Sequence, residues 1–168
     1  EFNYSADIQD LKVNLSTEEA AIIKKAMLAI AQIEVSVKTF WSKLYDYFPK
    51  PEFQAVGVTF AESEVRHIDA YSTLLELVGL NGEFEKLLDE PAIARRIKYF
   101  DKMDKLLKRP GSTNQDLFHT VALFSMFIEG VSLFSQFLIM MSFNKYKNAL
   151  KGISNAVEAT SKEEDIHA

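Results

Sequence analysis

The stretch "AESEVRHIDAY", residues 61 to 71, decides how this chain is read. It sets Glu64 three positions before His67, and Tyr71 four positions after it. On an α-helix those offsets fall on one face, so a carboxylate and an imidazole can reach the same small volume. One such pair is weak evidence. With 15 glutamates among 168 residues, about one histidine in eleven has Glu at i−3 by chance.

The spacing of the remaining acids strengthens the reading. The pair recurs as Glu164-x-x-His167, with Glu34 standing 30 residues before Glu64 and Glu129 standing 35 before Glu164. Each gap is about one long helix plus a turn, so each earlier Glu returns to the level of its Glu-x-x-His when the chain doubles back. The order carboxylate, ExxH, carboxylate, ExxH on four helices is that of a di-metal carboxylate bundle. Four carboxylates carry −4 and two divalent cations +4, so the cluster is neutral. Oxygen and imidazole donors without sulfur suit iron or manganese. The competing reading makes these surface glutamates on amphipathic helices, with accidental histidines.

The segment "VALFSMFIEGVSLFSQFLIMMSF", 121–143, argues against that alternative, because Glu129 is its one charge. At 23 residues it is long enough to cross a bilayer. It nevertheless contains Ser125, Ser132, Ser135 and Gln136, and a charge at the bilayer centre costs about 2.5–3.5 kcal/mol. We expect a helix buried on all sides by other long helices. Glu129 then needs a partner, since a lone buried carboxylate does not stay ionised; two cations supply one.

The rest of the chain punctuates into helices. "LSTEE", 15–19, is a capping box of Ser16 and Glu19, and the following run has no Gly or Pro until Pro49. Ala21, Ile22, Met27, Ile30, Ile33, Val37, Trp41, Leu44 and Phe48 recur near helical spacing, which predicts one helix from Thr17 to Phe48. A second is predicted from Pro51 to about Val78, ended by "GLNG". Others run from Pro91 to about Lys108, from about Thr113 to Phe143, and from about Lys147 to the chain end. No alternation suggests a strand. The predicted fold is all-α, a single domain over residues 1–168.

Composition narrows the function classes. A net charge of −5 offers no basic stripe for nucleic acid. The absence of cysteine excludes disulfides, zinc-thiolate sites and iron–sulfur clusters, so thiol chemistry would belong to another protein. No signal segment opens the chain, which points to a cytoplasmic protein without a membrane anchor. It starts without Met and stops at "EEDIHA", and reads as a trimmed chain. Trp41 reads as core packing, His119 as a surface or interface residue, and Glu62, Asp69 and Glu158 as surface groups. "ARRIKYFDKMDKLLKR" reads as a solvated helix. Tyr71 has two readings that spacing leaves open: a core tyrosine with a bonded hydroxyl, or a one-electron donor to a metal centre.

At this point the sequence resembles a known family, the small, radical-generating subunit of class I ribonucleotide reductase, a ferritin-like fold. The resemblance covers essentially the whole chain through "IAQIE" (Glu34), "AESEVRHIDAY" (Glu64, His67, Tyr71), "FIEGVSLFSQF" (Glu129) and "KEEDIHA" (Glu164, His167). It implies a ferritin-like long-helix bundle around a dinuclear centre of iron, manganese or one of each, activated by O2 or a derived oxidant. Glu64 and Glu164 would bridge the metals, Glu34 and His67 would complete one, and Glu129 and His167 the other. Tyr71 would be the radical site, shielded by Leu133 and Phe137. The oxidising equivalent would pass to a large catalytic subunit that reduces ribonucleotides to deoxyribonucleotides; a homodimer is implied.

Three departures accompany the match. Glu34 stands where many members have Asp, and Glu163 where members commonly carry an Asp of the electron-transfer path. The tryptophan paired with that acid would precede residue 1, and the final helices and docking tail would follow Ala168. Other readings of the same fold are a ferroxidase or iron-storage protein, and an oxidase binding a long apolar ligand.

Overall fold

The computed structural model describes residues 3–80 and 82–168. Helix α1 (Ser5–Gln9) runs into a π-helical turn (Asp10–Asn14); then come α2 (Thr17–Trp41), α3 (Leu44–Tyr47), α4 (Pro51–Leu77) and α5 (Glu83–Leu88). Helix α6 (Pro91–Lys108) follows, then α7 (Asn114–Ala122), which continues through a π-helical segment (Leu123–Leu133) into α8 (Phe134–Lys147), and finally α9 (Lys151–His167). Among the described residues there is no strand. The architecture is an all-α bundle in which α2 lies along α4, and α8 along α9.

Local chemistry explains most boundaries. Ser16 Oγ accepts from the Glu19 amide at 3.2 Å, while Glu19 Oε2 accepts from the Ser16 amide at 3.0 Å, closing the predicted capping box. Thr113 and Asp116 form a second one at the start of α7. Pro51 opens α4 at its first position, where its missing N–H has no helical partner to lose. Gly79, at φ +73°, ends α4 in the left-handed region that glycine adopts without strain; Asn81 of the "GLNG" stop signal lies outside the described residues.

Several expectations are corrected. The helix from Ser16 does not run to Phe48; it ends at Trp41, and the one-turn α3 follows. Its buried stripe is Ala20, Ile23, Met27, Ile30, Ile33 and Val37, with Ala21 exposed and Ile22 half exposed, because stepping back from Met27 by helical spacing reaches 23 and 20. The last helix starts at Lys151, after Asn148 and Leu150 take positive φ and break the preceding one. The helix of 121–143 is not buried on all sides. Phe124, Ile128, Glu129, Leu133, Phe137 and Met140 face inward, whereas Phe118, Met126, Phe127, Val131 and Leu138 are exposed, since neighbouring helices cover one side only. Length and hydropathy alone would allow the 34 residues Asn114–Lys147 to cross a membrane.

Helix α6 is more anchored than its charges suggest. Phe100, Met103 and Leu107 are buried, and Arg96 reaches into α2, donating to Gln32 Oε1 at 2.8 Å and to the Ala29 carbonyl at 3.1 Å.

One close helix approach is set by a missing methyl. A Cβ on Gly57 would lie 2.6 Å from the Trp41 carbonyl oxygen and 2.9 Å from Leu44 Cβ, so glycine is what lets α4 meet the end of α2. Gly57→Ala is expected to destabilise the fold by about 1–3 kcal/mol, the range of core overpacking. Chemical denaturation checks it, and an unchanged midpoint would contradict the crossing.

Candidate metal centre

The four helical segments carry their acids to one level. Glu34 comes from α2, Glu64 and His67 from α4, Glu129 from the π-helical segment, and Glu164 and His167 from α9. Glu34, Glu64, Glu129 and Glu164 have no solvent exposure, and the two histidines are buried. Two donor groups result, Glu34, Glu64, His67 and Glu164 in one and Glu64, Glu129, Glu164 and His167 in the other, with ligand atoms within 4.8 Å of one another in each. Glu64 and Glu164 belong to both, which is the arrangement that holds two cations side by side.

Each imidazole presents Nδ1 to three carboxylates. Around His67 Nδ1, Glu164 Oε1 lies at 2.8 Å, Glu64 Oε2 at 3.2 Å and Glu34 Oε2 at 3.6 Å. Around His167 Nδ1, Glu64 Oε1 and Glu164 Oε2 lie at 3.0 Å and Glu129 Oε2 at 3.5 Å. One N–H cannot serve three acceptors. Accordingly both oxygens of Glu34, Oε1 of Glu64 and Glu164, and Oε2 of Glu129 are buried without a hydrogen bond. Orphaned buried carboxylate oxygens are costly, and a cation at the focus of each trio would satisfy them. The donor set therefore fits a dinuclear site of oxygen and imidazole ligands.

The π-helical segment bears directly on this. Glu129 sits inside Leu123–Leu133, where the wider i→i+5 turn interrupts the α-helical phase. The outer nitrogen of His67 is also fixed: its Nε2 lies 3.1 Å from Glu163 Oε2. In the neutral tautomer that donates Nε2–H to that carboxylate, the Nδ1 lone pair faces inward and is free for a cation. Glu163 is held in turn by Ser63 Oγ and by Arg66, whose Nη2 lies at 2.9 Å. The His167 ring packs instead on Phe60, with centroids 4.2 Å apart.

Electrostatics follow the crowding. Burial, with the charges of Glu164 and Glu64, pushes Glu129 up to about 9. Burial also pushes Glu34 well above the usual carboxylate range. Burial opposes ionisation of Glu64 as well, but the His167 and His67 imidazoles beside it prevail and bring it down to about 2. Burial alone would depress the histidines, yet the surrounding carboxylates lift His67 to about 12 and His167 to about 9.

Tyr71, one turn beyond His67, is 2% exposed and its hydroxyl makes no hydrogen bond. Burial and the charge of Glu34 raise its pKa well above the ordinary value. Leu133 and Phe137 are fully buried. His119 is exposed, as are Glu62, Asp69 and Glu158. Trp41 was read from sequence as packing; it is buried and also donates to the Glu129 carboxylate. No spacing rule links residues 88 positions apart, so only the fold could reveal that bond.

Comparison with known proteins agrees with the geometry. The family described as "Ribonucleotide reductase, small chain" matches residues 1–168. A probable ribonucleoside-diphosphate reductase small subunit of Invertebrate iridescent virus 6 is 28% identical over 171 residues, covering 96% of this chain and 47% of the relative. A counterpart in Invertebrate iridescent virus 3 is 26% identical over 158 residues, covering 87% and 42%. The chain thus spans less than half the length of these curated relatives. Among solved structures, an R2-like ligand-binding oxidase with an aerobically reconstituted Mn/Fe cofactor superposes with a TM-score of 0.78 at 13% identity, covering 99% of this chain and 59% of that one. The R2-like ligand-binding oxidase of Sulfolobus acidocaldarius gives 0.72 at 19% identity, covering 99% and 62%. These neighbours establish the ferritin-like fold.

The cluster makes the cation-free protein sensitive to alkali. Glu129 has its pKa raised from 4.5 to about 9, so its contribution to stability is full below 4.5 and is lost as pH climbs toward 9. His167, raised from 6.5 to about 9, and His67, raised to about 12, lose theirs in the same direction. Glu64 moves oppositely, but its window lies below 4.5. In chelator, the unfolding temperature is expected to fall between about pH 6 and pH 9. Glu129→Gln should flatten that fall by a few degrees, since about 1 kcal/mol corresponds to roughly 2–4 °C at this size. Calorimetry across that range checks it; a rise with pH would contradict the electrostatics.

Proposed function

The chain belongs to the ribonucleotide reductase small-chain family, and from that premise we propose that it holds the dinuclear metal centre of a ribonucleoside-diphosphate reductase small subunit and generates the radical its partner uses. The observation that carries the proposal is the pair of carboxylate trios meeting on two inward imidazole nitrogens, with five carboxylate oxygens left unbonded inside the protein. Glu34, Glu64, His67 and Glu164 would hold one cation; Glu64, Glu129, Glu164 and His167 the other. Iron, manganese or a mixed pair fits these donors. When bound, such a pair supplies the reaction with O2 or a derived oxidant and the one-electron oxidising power that follows.

The chain's own residues give that power a destination. Tyr71 shares the face of His67 and is sealed from solvent. Its raised pKa keeps the proton on the hydroxyl while the ring is reduced. Loss of an electron makes that proton strongly acidic, and the carboxylate of Glu34 contributes the largest charge acting on it. Leu133 and Phe137 exclude water from the inner face of the bundle. Toward the surface, His67 Nε2, Glu163 and Arg66 form a bonded chain that ends at partly exposed groups, and supports Glu163 in the electron-transfer role for which members commonly carry an aspartate. The receiving cysteine belongs to the large catalytic subunit, because this chain has none. Ribonucleotide reduction would occur there, with the small subunit acting as a cytoplasmic homodimer.

The test combines metal counting with electron paramagnetic resonance. Wild-type protein should bind two divalent cations per chain, and Glu129→Ala or His167→Ala about one fewer. After loading with Fe2+ or Mn2+ and oxidation, a doublet-type organic signal that disappears in Tyr71→Phe is expected. Two bound metals with neither an organic radical nor an oxidised metal signal would eliminate the radical-generating role. Tyr71→Phe retaining full oxidation of Fe2+ with no wild-type radical would point to a ferroxidase instead.

A further inference from the structure

Glu129 differs from the other three acids of the cluster in having an oxygen bonded by an indole rather than by one of the two cluster histidines. Its Oε1 accepts the indole N–H of Trp41 at 2.5 Å, and its Oε2, buried and unbonded, faces His167 Nδ1 at 3.5 Å. We infer that Trp41 is a positioning residue for Glu129: its N–H holds Oε1 so that Oε2 alone is turned toward the cation site shared with His167. The inference rests on the reading of Glu129 as a metal ligand and adds a residue that governs how it binds.

Three features make Trp41 suited to this. Its ring is fixed on several sides, by Phe40 at 5.0 Å, Phe60 at 5.1 Å and His167 at 6.3 Å between centroids, all three in edge-type contacts. Its backbone is fixed independently. Trp41 is the last residue of α2, and its carbonyl sits in the space left by the missing Cβ of Gly57. Finally, an indole N–H is donor-only and does not titrate, so the bond to a carboxylate persists across the pH range in which histidine or lysine would change charge. Bonds from such donors to carboxylates are charge-assisted and short.

Packing alone does not demand this arrangement. A phenylalanine would occupy much of the same aromatic pocket without donating to Oε1. What the nitrogen adds is a difference between the two oxygens. With Oε1 engaged, Glu129 can offer one oxygen to a cation; released, the carboxylate can turn and offer both. Groups that orient metal ligands in this way are typically worth about 10–100-fold in affinity.

Trp41 is the sole tryptophan, which makes the test direct. Mn2+ binding is measured by equilibrium dialysis on wild type and Trp41→Phe, with unfolding temperature recorded in chelator. Ultraviolet resonance Raman of the wild type reads the hydrogen-bond state of the indole N–H with and without Mn2+. The expected result is two Mn2+ in the wild type, one of them weakened at least about tenfold in Trp41→Phe, the other held within about twofold, and an indole still bonded in the loaded protein. Two cations bound at wild-type affinity by Trp41→Phe would overturn the inference. So would equal loss of both with a collapse in unfolding temperature, which would mark a packing role. If Trp41→Phe does not fold, the Raman measurement decides: an N–H band that moves to the free position on loading refutes the bond. A wild type that binds fewer than two Mn2+ would instead remove the metal-centre reading beneath it.

Discussion

Four carboxylates without solvent exposure, in a volume a few ångströms across, are the constraint to which the rest of this fold answers. Taking an ionised carboxylate out of water is expensive unless its charge is matched and its lone pairs are used. Two imidazoles supply at most two positive charges and two inward N–H groups against four acids. The cluster is therefore short of positive charge on its own, and its acids respond individually. Glu64, flanked by both histidines, is stabilised as the anion, whereas Glu129 and Glu34 are pushed toward the protonated form. The apolar stripes of α2, α8 and α9 supply burial that offsets this strain.

Much of this was legible in the chain itself, because helical geometry converts spacing into position. The i, i+3 pairs Glu64/His67 and Glu164/His167, and the long intervals to Glu34 and Glu129, are enough to bring six side chains to one level of a helical bundle. The Ser16–Glu19 cap was equally readable, since its partners are local. What could not be read depends on contacts between distant segments. Helix α2 ends at Trp41, where the missing Cβ of Gly57 on another helix leaves room for the Trp41 carbonyl. The widened π-helical turn around Glu129 has no periodic signature in an apolar run. The N-terminal helix α1 is short and polar, and is stabilised by Asp7 accepting from the amides of Gly152 and Ile153 at the start of α9; no local rule announces a cap for another helix. The exposed side of 121–143 escaped prediction for a related reason: hydropathy does not say how many neighbours a helix has.

The two ends of the cluster are built differently, and the difference follows from one atom on each histidine. His67 turns Nε2 to Glu163, which Ser63 and Arg66 also hold, so this end is wired by polar groups to the surface beside Tyr71. His167 lies against Phe60 and near Trp41, and the Trp41 bond to Glu129 beside it points inward. A proton or charge change at the exposed carboxylate of Glu163 can act on the His67 end through bonded contacts. At the other end, aromatic rings separate the cluster from solvent, and Glu129 answers only to its immediate neighbours. A symmetric set of four acids and two histidines thus becomes an asymmetric site: one half coupled outward, with the buried Tyr71 beside it, and the other enclosed, with its carboxylate held by an indole.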